Sequence, residues 1–137
     1  DIQIELGDIA NILAYISIGD RIQDIERLVG ALADIKRLYA KNPEQMPNAE
    51  YIKPTVCVSP QTAFYGEKKS VPIRETEGMI CSEFVMCYPP GIPILAPGEM
   101  ITREIIDYII YAKEKGCSMQ GMQDPAVESL FVLTGKY

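Results

Sequence analysis

Histidine and tryptophan are absent from the 137 residues. Without histidine there is no Ser-His-Asp or Cys-His nucleophile, no imidazole proton shuttle and no histidine-containing metal site. Any catalysis would fall to Glu, Asp, Lys, Tyr or Cys. Positive charge is in short supply: 13 Lys and Arg stand against 19 Asp and Glu, a formal charge of −6. That balance speaks against phosphate backbones and anionic lipid surfaces, so neither nucleic acid nor a membrane is expected as a partner. Apolar runs such as Ile12 to Ile16 and Phe131 to Leu133 are far shorter than the ~20 residues of a bilayer span, and a soluble protein is expected. Missing too are G-x-G-x-x-G, P-loop, G-x-S-x-G and H-E-x-x-H patterns and any Ca²⁺-loop spacing of acidic residues, so no metal is indicated. The four cysteines, Cys57, Cys81, Cys87 and Cys117, form no C-x-x-C pair and follow no signal peptide. They are expected to be reduced, mostly buried thiols in a cytoplasmic protein.

What is present fits one globular domain, or one domain and a small appendage: 47% of residues are apolar and 23% charged. Ile2, Ile4 and Leu6 alternate with Gln3 and Glu5, the period of a half-buried strand. A chain that opens inside a strand is expected of a piece excised from a longer polypeptide, and a processed N-terminus leaves the same trace. After a turn at Gly7-Asp8, the run Ile12 to Ile16 should pair with the first as an antiparallel hairpin. Asp20 with Gln23 resembles a capping pair, and Ile22, Ile25, Leu28, Val29, Leu32 and Ile35 repeat at helical spacing to about Tyr39. Residues 41–53, rich in proline and asparagine, read as a linker.

Beyond it, Ser59-Pro60 opens a short helix that Gly66 stops, and Val71 to Gly78 suits another short turn. Met79 to Cys87 reads as a strand buried on both faces. Tyr88 to Pro93 holds three prolines and should run as a stiff extended loop, unable to join a central ladder. Ile94-Leu95 suits a brief strand. Thr102 is expected to cap a helix stapled by Ile101 and Ile106 and ended by Gly116, and Leu130 to Thr134 to form a terminal strand. The fold class is α+β: an N-terminal β-β-α unit, then a compact C-terminal domain with a small mixed sheet and helices.

Three residues stand out as site candidates. Glu83 is a carboxylate inside an apolar run, so it must be paired, sit at a cleft or have its proton affinity raised, unless it lies on the exposed face of an edge strand. Glu5 poses the same choice, with a solvent-facing position the plainer reading. Tyr88 heads the proline segment, which suits either a rigid pocket wall or a strand-ending turn. Glu99, ahead of Thr102, is read as a stabilising charge at a helix N-terminus.

The run from Gly78 to Thr102, with Tyr88-Pro89-Pro90-Gly91 and then Pro97-Gly98-Glu99, resembles the C-terminal region of the bacterial ornithine/lysine/arginine decarboxylases. Ile2 to Asp20, with Asn11-Ile12-Leu13 and Ser17-Ile18-Gly19-Asp20, is similar to the stretch just before that domain. The resemblance implies a pyridoxal 5′-phosphate enzyme of the aspartate-aminotransferase-like fold that decarboxylates arginine, lysine or ornithine to a polyamine or diamine precursor. It implies three segments: residues 1–40 as the end of the cofactor-bearing small domain, 41–53 as linker and 54–137 as the C-terminal domain. The Schiff-base lysine beside a histidine, and the rest of the cofactor equipment, have no counterpart here. The chain is therefore expected to be an inactive C-terminal fragment that binds no cofactor alone and has the missing pyridoxal-phosphate domain as its partner. By position, the resemblance makes Glu5, Glu83 and Tyr88 substrate-binding residues, in sites formed between the subunits of a homo-oligomer. The competing expectations are a non-catalytic packing or dimerisation module and a free-standing small-ligand domain.

Overall fold

Among the described residues, Ile4 and its neighbours find only a brief partner. In the computed structural model, which describes residues 2–7, 11–40, 52–88 and 91–135, strand β1 (Leu6–Gly7) pairs antiparallel with β2 (Ile12–Leu13), Leu6 opposite Leu13 and Gly7 opposite Ile12. The expected strand from Ile2 is thus cut to its last residues, and Ile2 and Ile4 stay exposed. The turn residue Asp8, the linker through Tyr51, and Pro89 and Pro90 lie outside the described residues. Helix α1 (Ile22–Tyr39) ends where its periodicity predicts. Its start differs by one residue. Asp20 is spent on a local turn, accepting from the Ser17 N–H at 2.6 Å and hydroxyl at 3.0 Å. Arg21 is the N-cap, and Asp24 accepts from the Arg21 N–H at 3.1 Å. No residue of α1 is buried.

The chain divides into two units, Asp1–Ala49 and Glu50–Tyr137, and the hydrophobic core described here belongs to the second. Helix α2 (Pro60–Tyr65) is capped by Ser59, whose hydroxyl accepts from the Thr62 N–H at 3.1 Å. Strand β3 (Lys68–Pro72) follows, then a 3₁₀ turn over Ile73–Glu75. Two further hairpin strands, β4 (Val85–Tyr88) and β5 (Ile92–Leu95), precede helix α3 (Arg103–Glu114), and β6 (Ser118–Gln120) and β7 (Ser129–Leu133) complete the chain. All strand pairs among the described residues are antiparallel, in sheets ordered β1-β2, β3-β7 and β5-β4-β6. The fold is α+β.

Two strand expectations need correction. The run Met79 to Cys87 is not one strand: Ile80 and Cys81 bridge to Met100 and Val132, the chain bends at Glu83, and only Val85 onward forms β4. Of the proline segment, Tyr88 belongs to β4 and Ile92 and Pro93 to β5, so its described ends join a ladder that the sequence was expected to leave. Pro93 pairs with Met86 at a register shift on the edge strand β5, where a missing N–H is tolerated. Helix α3 starts and stops where expected. Thr102 accepts from the Ile105 N–H at 3.3 Å. At the other end, Cys117 N–H donates to the Ala112 carbonyl and Gly116 N–H to that of Lys113, the double bond of a Schellman stop with Gly116 at φ 81°. Its buried face is Ile105, Ile106, Ile109 and Ala112, and the three isoleucines pack with Ile101, Leu95, Val85, Leu130 and Val132 in one core. Each such aliphatic side chain contributes about 1.5–3 kcal/mol on burial.

Candidate functional site

Glu83 lies at the bend where the chain leaves β7's flank and starts β4, and it is only 4% exposed. A buried carboxylate must be bonded to be tolerated, and this one is: Oε1 accepts the Phe131 N–H at 2.7 Å and Oε2 the Gln123 N–H at 2.9 Å. Of the options open from sequence, the structure realises pairing, with main-chain amides as the partners. Next to it the Cys81 thiol donates to the Glu83 carbonyl, and burial pushes that thiol up to about 12, so it is no nucleophile at neutral pH. The Ser82 hydroxyl is the buried side-chain oxygen left without a partner among the described residues.

Tyr88 ends β4 opposite Ser118 and is 51% exposed. The strand carries it away from Glu83, at about 3.3 Å per residue, so these two candidates are not brought together. Glu5, in the other unit, is exposed and contributes its N–H to the Leu13 carbonyl at 2.9 Å. Glu99 is not a free charge by a helix end. Its Oε2 accepts from the Ala96 N–H at 2.9 Å and closes the Pro97-Gly98 turn. The cysteines depart from the expectation of mostly buried thiols: Cys81 alone is buried, Cys57 is exposed, and Cys87 and Cys117 lie between.

Sequence reasoning passed over Asp124. Its carboxylate accepts the N–H of Ala126 with one oxygen, and the N–H groups of Glu128 and Ser129 and the Ser129 hydroxyl with the other. These bonds, led by the Ser129 N–H, hold its pKa below the usual carboxylate value. The knot keeps Val127 at φ 57°, strained for a β-branched residue. The Asp124-Pro125 dipeptide was the available signal, as a turn initiator. Val127 lines a cavity of about 610 Å³ with Ile73, Ile110 and a rim of Glu75, Glu114, Glu128, Arg74 and Lys113. Neither Glu83 nor Tyr88 lines it.

The lining of this cavity does not fit pyridoxal phosphate: Lys113 Nζ is bonded to the Ala126 carbonyl, and the three carboxylates on the rim would repel a phosphate. No group of three or more Cys, Asp or Glu side chains among the described residues is placed to hold a metal. No helix among them is long and apolar enough to cross a membrane.

The profile of the Orn/Lys/Arg decarboxylase C-terminal domain matches residues 36–126. Among curated proteins, the arginine decarboxylase of Bacillus subtilis (strain 168) is 38% identical over 136 residues, which cover 97% of this chain and 28% of that protein. The arginine decarboxylase of Halalkalibacterium halodurans is 39% identical over 135 residues, covering 96% and 28%. The chain thus spans little more than a quarter of these relatives. Of solved structures, the lysine decarboxylase LdcF of Francisella novicida superposes with a TM-score of 0.64 at 23% identity, over 96% of this chain and 26% of that one, a likeness of fold.

Proposed function

Because this chain belongs to the Orn/Lys/Arg decarboxylase family, we propose that it is the C-terminal part of a pyridoxal-phosphate-dependent decarboxylase of a basic amino acid, with arginine the first substrate to try. The observation that carries this reading is similarity along nearly the whole chain to proteins named arginine decarboxylase, of which it spans 28%. Residues 1–40 are then the end of the cofactor-bearing small domain, 41–53 the linker and 54–137 the C-terminal domain, in a cytoplasmic homo-oligomer whose sites lie between subunits. The cofactor, held by the portion of the enzyme outside this chain, supplies the electron sink for loss of CO₂.

The chain's own contribution is recognition and support. Tyr88, exposed at the hairpin end, offers a phenol to the entrance of the site. Glu5, an exposed carboxylate, faces the cationic end of the substrate, where a charge-assisted bond is strong. Glu83 is counted with the site for its place at the root of the strand that bears Tyr88. A second reading, a non-catalytic packing and dimerisation module, draws on the first unit, where α1 buries no residue and leaves its apolar side chains open to a partner.

The test is CO₂ release from arginine, lysine and ornithine by the product of the complete reading frame, beside the 137-residue chain alone. The full product should turn over one of them and the chain none. A chain that by itself retained a pyridoxal-phosphate absorbance band through gel filtration, or a reading frame with no cofactor domain, would overturn the proposal.

A further inference from the structure

Antiparallel pairing along β7 stops one bond short. Leu133 N–H donates to the Ile80 carbonyl at 2.8 Å and Ser82 N–H to that of Phe131 at 2.9 Å. The return bond of this pattern would run from the Phe131 N–H to the Ser82 carbonyl. Instead that N–H goes to Glu83 Oε1, so a side chain replaces a main-chain acceptor at the place where the backbone turns away. The second oxygen takes the N–H of Gln123, in the loop that follows β6. This loop is packed on the same bend: a Cβ on Gly121 would lie 2.8 Å from the Phe84 carbonyl oxygen. From the bend β4 runs outward between β5 and β6 to Tyr88.

We infer that Glu83 is a positioning residue: its carboxylate fixes the bend between β7 and β4, and so sets where Tyr88 stands, without itself touching substrate. Direct contact would cost one of two amide bonds at a residue almost closed to solvent. A glutamine cannot stand in. It offers one oxygen, and its NH₂ would face an N–H donor. The inference rests on the decarboxylase reading for the role of Tyr88, while the clamp itself rests on geometry alone.

The experiment is a double-mutant cycle of Glu83→Gln and Tyr88→Phe in the product of the complete reading frame, read by KM and kcat and by amide exchange at Gln123 and Phe131. Expected is a KM rise of about fivefold or more with kcat within about twofold, the signature of lost binding rather than lost enzyme. The Glu83→Gln effect should shrink below about twofold in the Tyr88→Phe background, as for residues acting in series. A fall in kcat at unchanged KM, or additive effects, would overturn the inference. Should Glu83→Gln not accumulate as folded protein, Glu83→Asp keeps both acceptors but withdraws them by about 1.5 Å and should give the same KM rise at smaller size; an unchanged KM in that variant overturns the inference. If the wild-type protein decarboxylates nothing, the functional reading falls, and exchange decides on the clamp: faster exchange at one or both amides in Glu83→Gln upholds it, and retained protection at both overturns it.

Discussion

Gly98 and Gly78 both hold positive φ, +91° and +79°, yet they are not equivalent residues. A Cβ on Gly98 would come 2.3 Å from the Val58 carbonyl oxygen, and one on Gly78 would meet nothing within 4 Å. Gly98 also accepts from the Cys57 and Val58 N–H groups, so the crossing of the two chain segments there depends on close backbone approach. Gly98→Ala is expected to cost at least about 2 kcal/mol and Gly78→Ala about 1 kcal/mol in urea unfolding; equal costs would show that the crossing can relax. The thiols separate in the same way. In native alkylation followed by mass spectrometry, exposed Cys57 should label first. Cys81, fully buried and pushed up to about 12, should label only on unfolding, and early labelling of Cys81 would contradict its placement. At this scale the sequence marked Glu83 as anomalous from its apolar neighbours. It could not supply the partners, because Gln123 and Phe131 lie 40 and 48 residues away.

Among the elements, those governed by local chemistry were legible. Ser59-Pro60 and Gly66 bound α2, and Thr102 and Gly116 bound α3, because caps and stops act within one turn of the chain. Strands were harder to place. β3 and β6 escaped notice, since their partners β7 and β4 are distant in sequence and β3 carries Lys68, Lys69 and Pro72. The 124–129 loop carries a pH dependence of definite sign. Asp124 is ionised more readily in the folded chain than in the unfolded one, so its stabilisation is present above the ordinary carboxylate pKa and is lost as pH falls through the lowered value. Wild type should therefore exceed Asp124→Asn in thermal stability at neutral pH, and the gap should close on acidification below about pH 4. A gap that persists unchanged at low pH would remove the carboxylate from that role.

For the whole molecule, the two units differ in what they bury. Ile109 is fully buried in the second unit, whereas Val29 on α1 is 60% exposed. Ile109→Ala should cost about 2–5 kcal/mol, and Val29→Asp should leave the unfolding of the second unit within about 0.5 kcal/mol of wild type. A large loss from Val29→Asp in the isolated chain would mean that α1 is part of the core after all. The apolar stripe of α1 was plain from its spacing; that spacing predicts an apolar face, and a helix acquires a buried one only where other atoms cover it.

The sequence by itself determined the absence of histidine chemistry, the acid-rich charge balance, the ends of α2 and α3 and the motif run from Gly78 to Thr102, because each is a property of residue type or of neighbours within a turn. Tertiary structure alone decided that Glu83 completes a ladder rather than lines a surface, that Asp124 knots a strained loop, and that Pro93 sits on an edge strand. Each of these depends on hydrogen-bond partners supplied by segments that meet only when the chain has folded, and a buried polar group has no fixed role until those partners are in place.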